Sequence, residues 1–380
     1  MDGRTPQPAV PVSPDEADAT FTMLAGRRVL LGVSGGPDSV ALMGLIAGWA
    51  RRHGQTLPTV AVVDHGLRPA SADEAAFVVA SAEALGLAAA ILPWTGPKPA
   101  SALQDNARRA RYRLLAAHAR AIGADMLVTA HTEDDQAETL MMRLASGSGL
   151  TGLAGMRQQT RSAGIAHARP ALGWSKASLI ATCRQHGWGW INDPSNADHR
   201  FARVRWRGVL PVLAAEGLDA GRLGLLARRL AAADEALDEI AERALEACCM
   251  PPDKAGWHID FRRLAGYPSA IVIRALGRML IGPMVGQGAG GEESITAPAS
   301  GIRLQRLEAF AEALLDALRS GRAVRRTLGG QILALDRHGL LFGQPEGLRR
   351  RGARRVRTGD GAGHEVADSG TQPARSQLPR

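Results

Sequence analysis

The sequence predicts an α/β fold: a parallel sheet with helices on both faces, followed by a smaller, mainly helical C-terminal domain. Two observations carry the first half. Short, almost wholly apolar runs at 29–33, 59–64, 88–92 and 126–130 alternate with helical stretches through the first 145 residues, the order that builds parallel strands joined by crossover helices. The runs are continuous, as strands covered on both faces are. A third observation sets the second half apart: beyond residue 215 amphipathic helices dominate, at 218–250, 269–281 and 304–318. The expected division is a disordered N-terminus over 1–20, rich in Pro, Ala and Asp, and an α/β domain over 21–215. A helical linker and C-terminal domain over 216–345 and a basic, disordered tail over 346–380 complete it.

The first strand, 29–33, runs into Ser34-Gly35-Gly36-Pro37-Asp38-Ser39, and the apolar stretch 40–46 follows as the opening turns of a buried helix. Two adjacent glycines let the backbone close on an anion, and the loop N–H groups join those of the helix's first turn in facing it. Ser34 and Ser39 add hydroxyls. Asp38 puts a carboxylate beside that anion, which is repulsive unless a cation lies between, and Mg²⁺ is implied. Residues 34–39 thus read as a polyphosphate cradle, with Asp38 as the metal ligand.

The second strand ends in Asp64-His65-Gly66-Leu67-Arg68-Pro69. A helix is expected over 71–85, with Ser71 as N-cap and Glu74 completing a capping box. The third strand, 88–92, precedes a long arginine-rich helix over 101–122. The fourth, 126–130, leaves through residues 131–135 into a helix that ends near 145. Ligands of such sheets bind beyond the carboxyl ends of the strands, so the cradle, Asp64-His65 and residues 131–135 point to one site. A glycine-rich loop at 147–155, a helix near 175–186 and the dense set Arg200, Arg203, Arg205 and Arg207 follow. The C-terminal domain ends in a hairpin-like pair at 322–328 and 331–335, after a loose insertion at 286–301.

At 380 residues with 45% hydrophobic content, the chain has enough interior for one large or two medium domains. Its net charge is +9, and only Lys98, Lys176 and Lys254 are lysines. Arginine's planar fork suits phosphate and nucleic-acid backbones, so a polyanionic partner is expected. Cys183, Cys248 and Cys249 form no CxxC, which argues against a disulfide framework, a thiol redox pair or a thiolate metal site. With no basic-then-apolar leader and no apolar stretch of membrane-spanning length, a cytoplasmic protein without a membrane partner is expected. Gly147-Ser148-Gly149-Leu150-Thr151-Gly152 matches GxGxxG but follows a helix rather than a strand, so it lacks the context of a dinucleotide fingerprint. No lysine sits in a GK[ST] sequence, which excludes a Walker A loop.

The cradle resembles the SGGxDS loop of the N-type ATP pyrophosphatases (the PP-loop superfamily), which cleave ATP between the α- and β-phosphates. Further segments narrow the resemblance: Val63-Asp64-His65-Gly66-Leu67-Arg68, Ala107-Arg108-Arg109-Ala110-Arg111-Tyr112 and the run from Thr129-Ala130-His131 to Asp135-Gln136-Ala137-Glu138-Thr139. Gly147-Ser148-Gly149, Gly152-Leu153-Ala154-Gly155-Met156, Arg169-Pro170 and Asp193-Pro194-Ser195-Asn196 continue the series. In this order they resemble the tRNA(Ile)-lysidine synthase family over about residues 25–215.

The resemblance implies a PP-loop ATP pyrophosphatase-like domain and a two-step ligation. Its substrates would be ATP, free L-lysine and a tRNA(Ile) with a CAU anticodon, with Mg²⁺ as cofactor; a homodimer is one assembly compatible with it. Ser34, Gly35, Gly36, Pro37, Asp38, Ser39, Asp64, His65 and His131 would bind the nucleotide, and Asp38 the metal. The implied catalytic set is Asp38, Arg108, Arg111, Asp135, Glu138 and Arg203. The residue types fit these tasks. Arg108 and Arg111, three apart on one helix face, suit the α-phosphate or the tRNA. Asp135 and Glu138, also three apart, suit a lysine ammonium, and one would take its proton. Arg203 and Arg207 would face the nucleotide or the tRNA backbone.

Plainer readings stand beside these. His65 and His131 would serve as polar caps of the sheet, Asp135 and Glu138 as a solvated helix face, and Arg108 and Arg111 as partners in ordinary salt bridges. Ser146 stands where the family often has Arg, and Val204 where many members have Asn. A tRNA cytidine thiolase is an alternative function, against which the missing CxxC speaks. A nonenzymatic nucleotide- or RNA-binding module is another, against which the joint presence of Asp38, Asp135 and Glu138 speaks.

Overall fold

A computed structural model describes residues 9–96, 98, 103–192, 202–253, 256–281 and 304–345. In chain order the elements of the first half are α1 (Pro14–Phe21), β1 (Val29–Gly32), α2 (Pro37–Arg52), β2 (Thr59–Asp64), α3 (Ser71–Ala84), β3 (Ala89–Pro93), α4 (Leu103–Ala121), β4 (Met126–Thr129), α5 (Glu133–Ala145), α6 (Leu150–Leu153), β5 (Gln159–Ser162), β6 (Ile165–Ala168), α7 (Lys176–His186) and α8 (Ala202–Ala215). The second half holds α9 (Ala220–Cys248), β7 (Cys249–Asp253), β8 (Gly256–Asp260), α10 (Phe261–Leu264), α11 (Ser269–Ile281), α12 (Leu304–Arg319), β9 (Val324–Leu328), β10 (Gln331–Leu335) and β11 (Leu340–Pro345). Among the described residues no helix is long and apolar enough to cross a membrane.

The first sheet has the order β3-β2-β1-β4-β6-β5. Strands β3, β2, β1, β4 and β6 run parallel, and β5 closes one edge antiparallel to β6. The chain moves outward from β1 through β2 to β3, then returns to the other side of β1 with β4. The strand order therefore reverses between β1 and β4, where sheets of this kind open a crevice at their carboxyl edge. One face of the sheet is covered by α2, α3 and α7 around Leu31, Met43, Ile46, Val60 and Leu179, and the other by α4 through Leu115, Ala116 and Ala119 against Leu30 and Leu127.

The expected disorder over 1–20 does not hold for the part the structure describes. Pro14–Phe21 is a helix with Pro at its first position and a capping box between Ser13 and Glu16. Ala17 and Phe21, four apart, are fully buried, and Phe21 meets Trp49 and Trp174 edge-on at ring distances of 5.9 and 5.6 Å. A polar composition hid one apolar stripe that the core needs.

Ser71 is likewise not an N-cap. Ala70 holds that position without a side-chain bond, and the Ser71 hydroxyl donates instead to Asp64 Oδ1 at 2.7 Å. The glycine-rich stretch 147–155 contains the short helix α6, and the hairpin β5–β6 lies where no strand was expected. Asp193-Pro194-Ser195-Asn196, Arg200, the insertion at 286–301 and the tail from 346 lie outside the described residues.

The second half carries more β-structure than its sequence suggested. The pair β9–β10 belongs to a five-stranded antiparallel sheet of order β7-β8-β11-β10-β9. Its core joins Ile259, Leu333 and Leu341 of the sheet to Leu245 of α9, Val272 and Leu276 of α11, and Phe310 and Leu314 of α12. Helix α9 spans both halves: Leu223 near its start packs on Ala137 and Leu140 of α5. At its middle Asp234, 1% exposed, accepts from Thr151 Oγ1 at 2.8 Å and pairs with Arg157 and Arg274 at 2.6 and 2.8 Å.

Candidate active site

The loop after β1 owes its shape to Gly35 and Ser39. Gly35 has φ +83°, and a Cβ there would stand 2.7 Å from Ile191 Cδ1 and 3.2 Å from Val78 Cγ2, so both its backbone and its surroundings demand glycine. Its carbonyl accepts from the Ile191 N–H at 2.9 Å. Ser39 closes the turn from the helix side: its hydroxyl donates to the Gly36 carbonyl at 2.9 Å and accepts from the Ser34 N–H at 3.2 Å. Gly36 is the N-cap of α2 and Pro37 its first residue, so the opening N–H groups of a buried helix face the loop's mouth. The exposed Ser34 lies 3.3 Å from Ser39, hydroxyl to hydroxyl. Ser39 thus shapes the cradle from within.

Asp38, in the first turn of α2, faces a cleft of about 290 Å³ that Thr132, Asp134, Asp135, Glu138, Lys176 and Arg207 also line. Its Oδ2 lies 3.2 Å from Lys176 Nζ, while its buried Oδ1 has no partner among the described residues. Burial pushes its pKa up; Lys176 opposes this, and the nearby Asp135 and Asp134 carboxylates add to it. An orphaned carboxylate oxygen at the edge of a phosphate cradle fits a hard divalent cation that keeps most of its shell for water and phosphate. Among the described residues there is no group of three or more His, Cys, Asp or Glu side chains able to hold a metal by themselves.

The other carboxylates have separate tasks. Asp135 Oδ2 accepts from the Thr132 N–H and hydroxyl at 3.0 and 3.1 Å, completing the capping box of α5. Asp134 Oδ2 accepts from the Lys176 N–H at 2.7 Å and so caps α7. Glu138 is 2% exposed and is gripped by the fork of Arg207 from α8. Burial raises its pKa against the pull of Arg207, and Asp135 adds to the rise. Asp135 and Glu138 are therefore not a solvated helix face.

A second half of the site is basic. Asp64 is a loop builder: its Oδ1 accepts from Gly66 N–H at 2.9 Å and from Ser71, and these bonds hold its pKa low. His65 Nε2 meets Arg111 Nη2 at 3.1 Å, and the ring stands edge-on to Trp94. Burial and the Arg111 charge lower the His65 pKa to about 4, so the ring is neutral and Nε2 accepts from Arg111. Arg108 lies 5.2 Å over the Tyr112 ring. The His131 pKa is held well below 6.5 by burial and by the charges of Arg169, Arg108, Arg203 and Arg111, whose positive field reaches the exit of β4. Arg203 and Arg207 are four apart on α8: Arg207 lines the acidic cleft and forks onto Glu138, while the charge of Arg203 acts on both Glu138 and His131.

Lys176, Asp134 and Thr132 escaped sequence reasoning as members of the cleft. Lys176 carried a signal, being one of only three lysines, and it follows the N-cap Ser175. Val204, where many relatives would have Asn, is 8% exposed and packs as an apolar residue of α8.

A PP-loop domain family matches residues 13–213. The tRNA(Ile)-lysidine synthase of Methylobacterium nodulans is 49% identical over 330 residues, covering 86% of this chain and 93% of that protein. The enzymes of the same name from another Methylobacterium species and from a Bradyrhizobium species are 44% and 41% identical, each over 90% of this chain and 97% of the relative. This chain belongs to the tRNA(Ile)-lysidine synthase family. The site itself carries two-sided charge: an acidic cleft lined by Asp38, Asp134, Asp135 and Glu138, and arginines whose charge acts on His131.

Proposed function

We propose that the chain is a ligase that uses ATP to join free lysine to carbon 2 of the wobble cytidine of tRNA(Ile) bearing a CAU anticodon. The charge division of the site supports this reading best, because the reaction must gather one polyanionic nucleotide, one polyanionic RNA and one ammonium at a single point. The cradle at residues 34–39 holds the β- and γ-phosphates. Asp38 would hold Mg²⁺, which when bound neutralises phosphate charge and supports departure of pyrophosphate. Asp64 and His65 shape the nucleotide side of the mouth.

In the first step the cytidine O2 attacks the α-phosphate and pyrophosphate leaves. Arg108, Arg111 and Arg203 would meet the negative charge that builds up there, as charge-assisted donors. In the second step the ε-amine of lysine attacks carbon 2, and AMP leaves with the former O2. The acidic cleft recruits the ammonium. Glu138, whose pKa is raised by burial, is suited to take the proton that makes the amine nucleophilic. Asp135 has one oxygen committed to its helix cap and adds charge more than proton transfer. The positive charge of the chain suits the tRNA, and a cytoplasmic setting follows from these substrates.

Incubation with ATP, labelled lysine and tRNA(Ile) bearing CAU tests the reading. Lysine incorporation with release of AMP and pyrophosphate is expected; nucleotide turnover without lysine incorporation would overturn it.

A further inference from the structure

The mechanism above leaves one buried polar chain without a task. His167 of β6 is 1% exposed and Thr129 at the end of β4 is 8% exposed, yet both carry groups that burial penalises unless they are bonded. They are bonded in series. Arg169 Nη2 lies 3.1 Å from His167 Nδ1, His167 Nε2 lies 2.8 Å from Thr129 Oγ1, and Thr129 Oγ1 lies 2.9 Å from His131 Nδ1. Arg169 is anchored in turn, its Nη1 donating to the Arg157 carbonyl at 2.9 Å and to Thr160 Oγ1 at 3.1 Å.

The donor inventory gives the chain a direction. A guanidinium has no acceptor, so His167 Nδ1 must accept from Arg169. The His167 proton is then on Nε2 and is donated to Thr129. Thr129 has one hydroxyl proton, and His131 Nδ1 is the acceptor recorded for it among the described residues. That leaves the His131 proton on Nε2. We propose that Arg169, His167 and Thr129 are positioning residues that hold His131 as a neutral Nε2–H donor, committed to an anionic phosphoryl oxygen of the nucleotide and not to the lysine.

The setting agrees with that assignment. The four guanidiniums of Arg108, Arg111, Arg169 and Arg203 act on His131, an environment that repels a second cation such as imidazolium or ammonium and favours an anion. A neutral ring adds a directed donor there without further repulsion. The same polarity bars His131 from acting as a base, since its free-facing nitrogen already carries the proton and the other is occupied. Proton removal from lysine therefore falls to the carboxylates. The family's scaffold of strands makes the chain possible: β4 and β6 are parallel neighbours with Leu127 opposite His167 and Val128 opposite Ala168, so strand pairing sets the Thr129–His167 contact.

The phosphoryl assignment rests on the proposed ATP-dependent reaction; the tautomer does not, and the test separates them. In ¹⁵N-histidine spectra of the full chain, with His131→Gln used to assign the resonance, His131 is expected to show a bare, hydrogen-bonded Nδ1 and a protonated Nε2. Thr129→Val should shift the Nδ1 signal to that of an unbonded nitrogen, and Thr129→Ser should restore it. A proton on Nδ1, or an unmoved signal in Thr129→Val, would overturn the relay irrespective of what the enzyme makes. In kinetics, Thr129→Val should raise the KM for ATP about tenfold, the scale of one lost charge-assisted bond. The lysine KM should stay within about twofold, and Thr129→Ser should recover the ATP value. His167→Gln, whose amide can accept from Arg169 and donate to Thr129, should behave as Thr129→Ser does. A rise in the lysine KM with an unchanged ATP KM would overturn the assignment of His131 to the nucleotide.

Discussion

Replacing Glu138 by Gln should separate the two proposed half-reactions. The side chain is 2% exposed and Arg207 forks onto it, whereas Arg207 itself keeps 37% of its side chain in solvent. Stripping one partner from a fully buried pair costs about 3–5 kcal/mol. Arg207 can recover hydration, and Gln still offers one acceptor, so the loss should approach that of one charge-assisted hydrogen bond, about 1.5–3 kcal/mol. Expressed in the lysine-dependent step, that is about 10- to 150-fold in kcat/KM for lysine. Pyrophosphate release from ATP and tRNA, measured without lysine, should change by no more than about threefold. The assay follows both steps in one preparation, pyrophosphate by coupled detection and lysidine by labelled lysine. Equal loss of both steps would refute the division of labour between cleft and cradle.

Three further outcomes follow from the geometry. Gly35→Ala should destabilise the chain by about 1–2 kcal/mol from its left-handed backbone alone, read from the urea midpoint, and should weaken ATP binding beyond detection of a normal saturation curve. Phe21→Ala should cost about 3–5 kcal/mol, because the ring is fully buried between Trp49 and Trp174; an unchanged urea midpoint would mean that α1 does not belong to the core. His167 has its pKa lowered to about 2 by burial and by the Arg169 charge, so it is neutral when folded and protonated when unfolded below 6.5. Stability is fully present above that value and is lost as pH falls, at about 1.4 kcal/mol per pH unit for this one group. His167→Gln should therefore lose stability less steeply than the parent between pH 6 and about 4, and parallel acid limbs would contradict the burial of a neutral ring.

The cradle, the alternation of strands and helices, and the convergence of three strand exits were legible because each rests on local pattern: glycines before an apolar helix, β-branched runs, and the rule that ligands sit at the carboxyl edge. Other features depend on partners far away in sequence. Asp134 reads as one more acid in a helix start, yet it caps α7 some forty residues later. Ser71 looks like an N-cap until Asp64 takes its hydroxyl. Strand β6, with Ile165-Ala166-His167-Ala168, is too short and too small-chained to announce itself, and the polar chain through His167 went unseen with it. The five-stranded C-terminal sheet was missed for a similar reason: β7 contains two adjacent prolines, and prolines in sequence argue against a strand except at an edge, which is where β7 lies. Helix α1 shows the converse, a polar segment kept in place by one aromatic ring and one capping box.

In the proposed reaction the cradle activates the tRNA and the acidic cleft supplies the nucleophile afterwards. Mixing the enzyme with ATP and tRNA(Ile) while withholding lysine tests it most directly. The expected result is release of pyrophosphate up to one per site, with AMP retained on the tRNA, followed by conversion to lysidine when lysine is added. Pyrophosphate release that requires lysine, or AMP found on the lysine carboxylate instead of the tRNA, would contradict it.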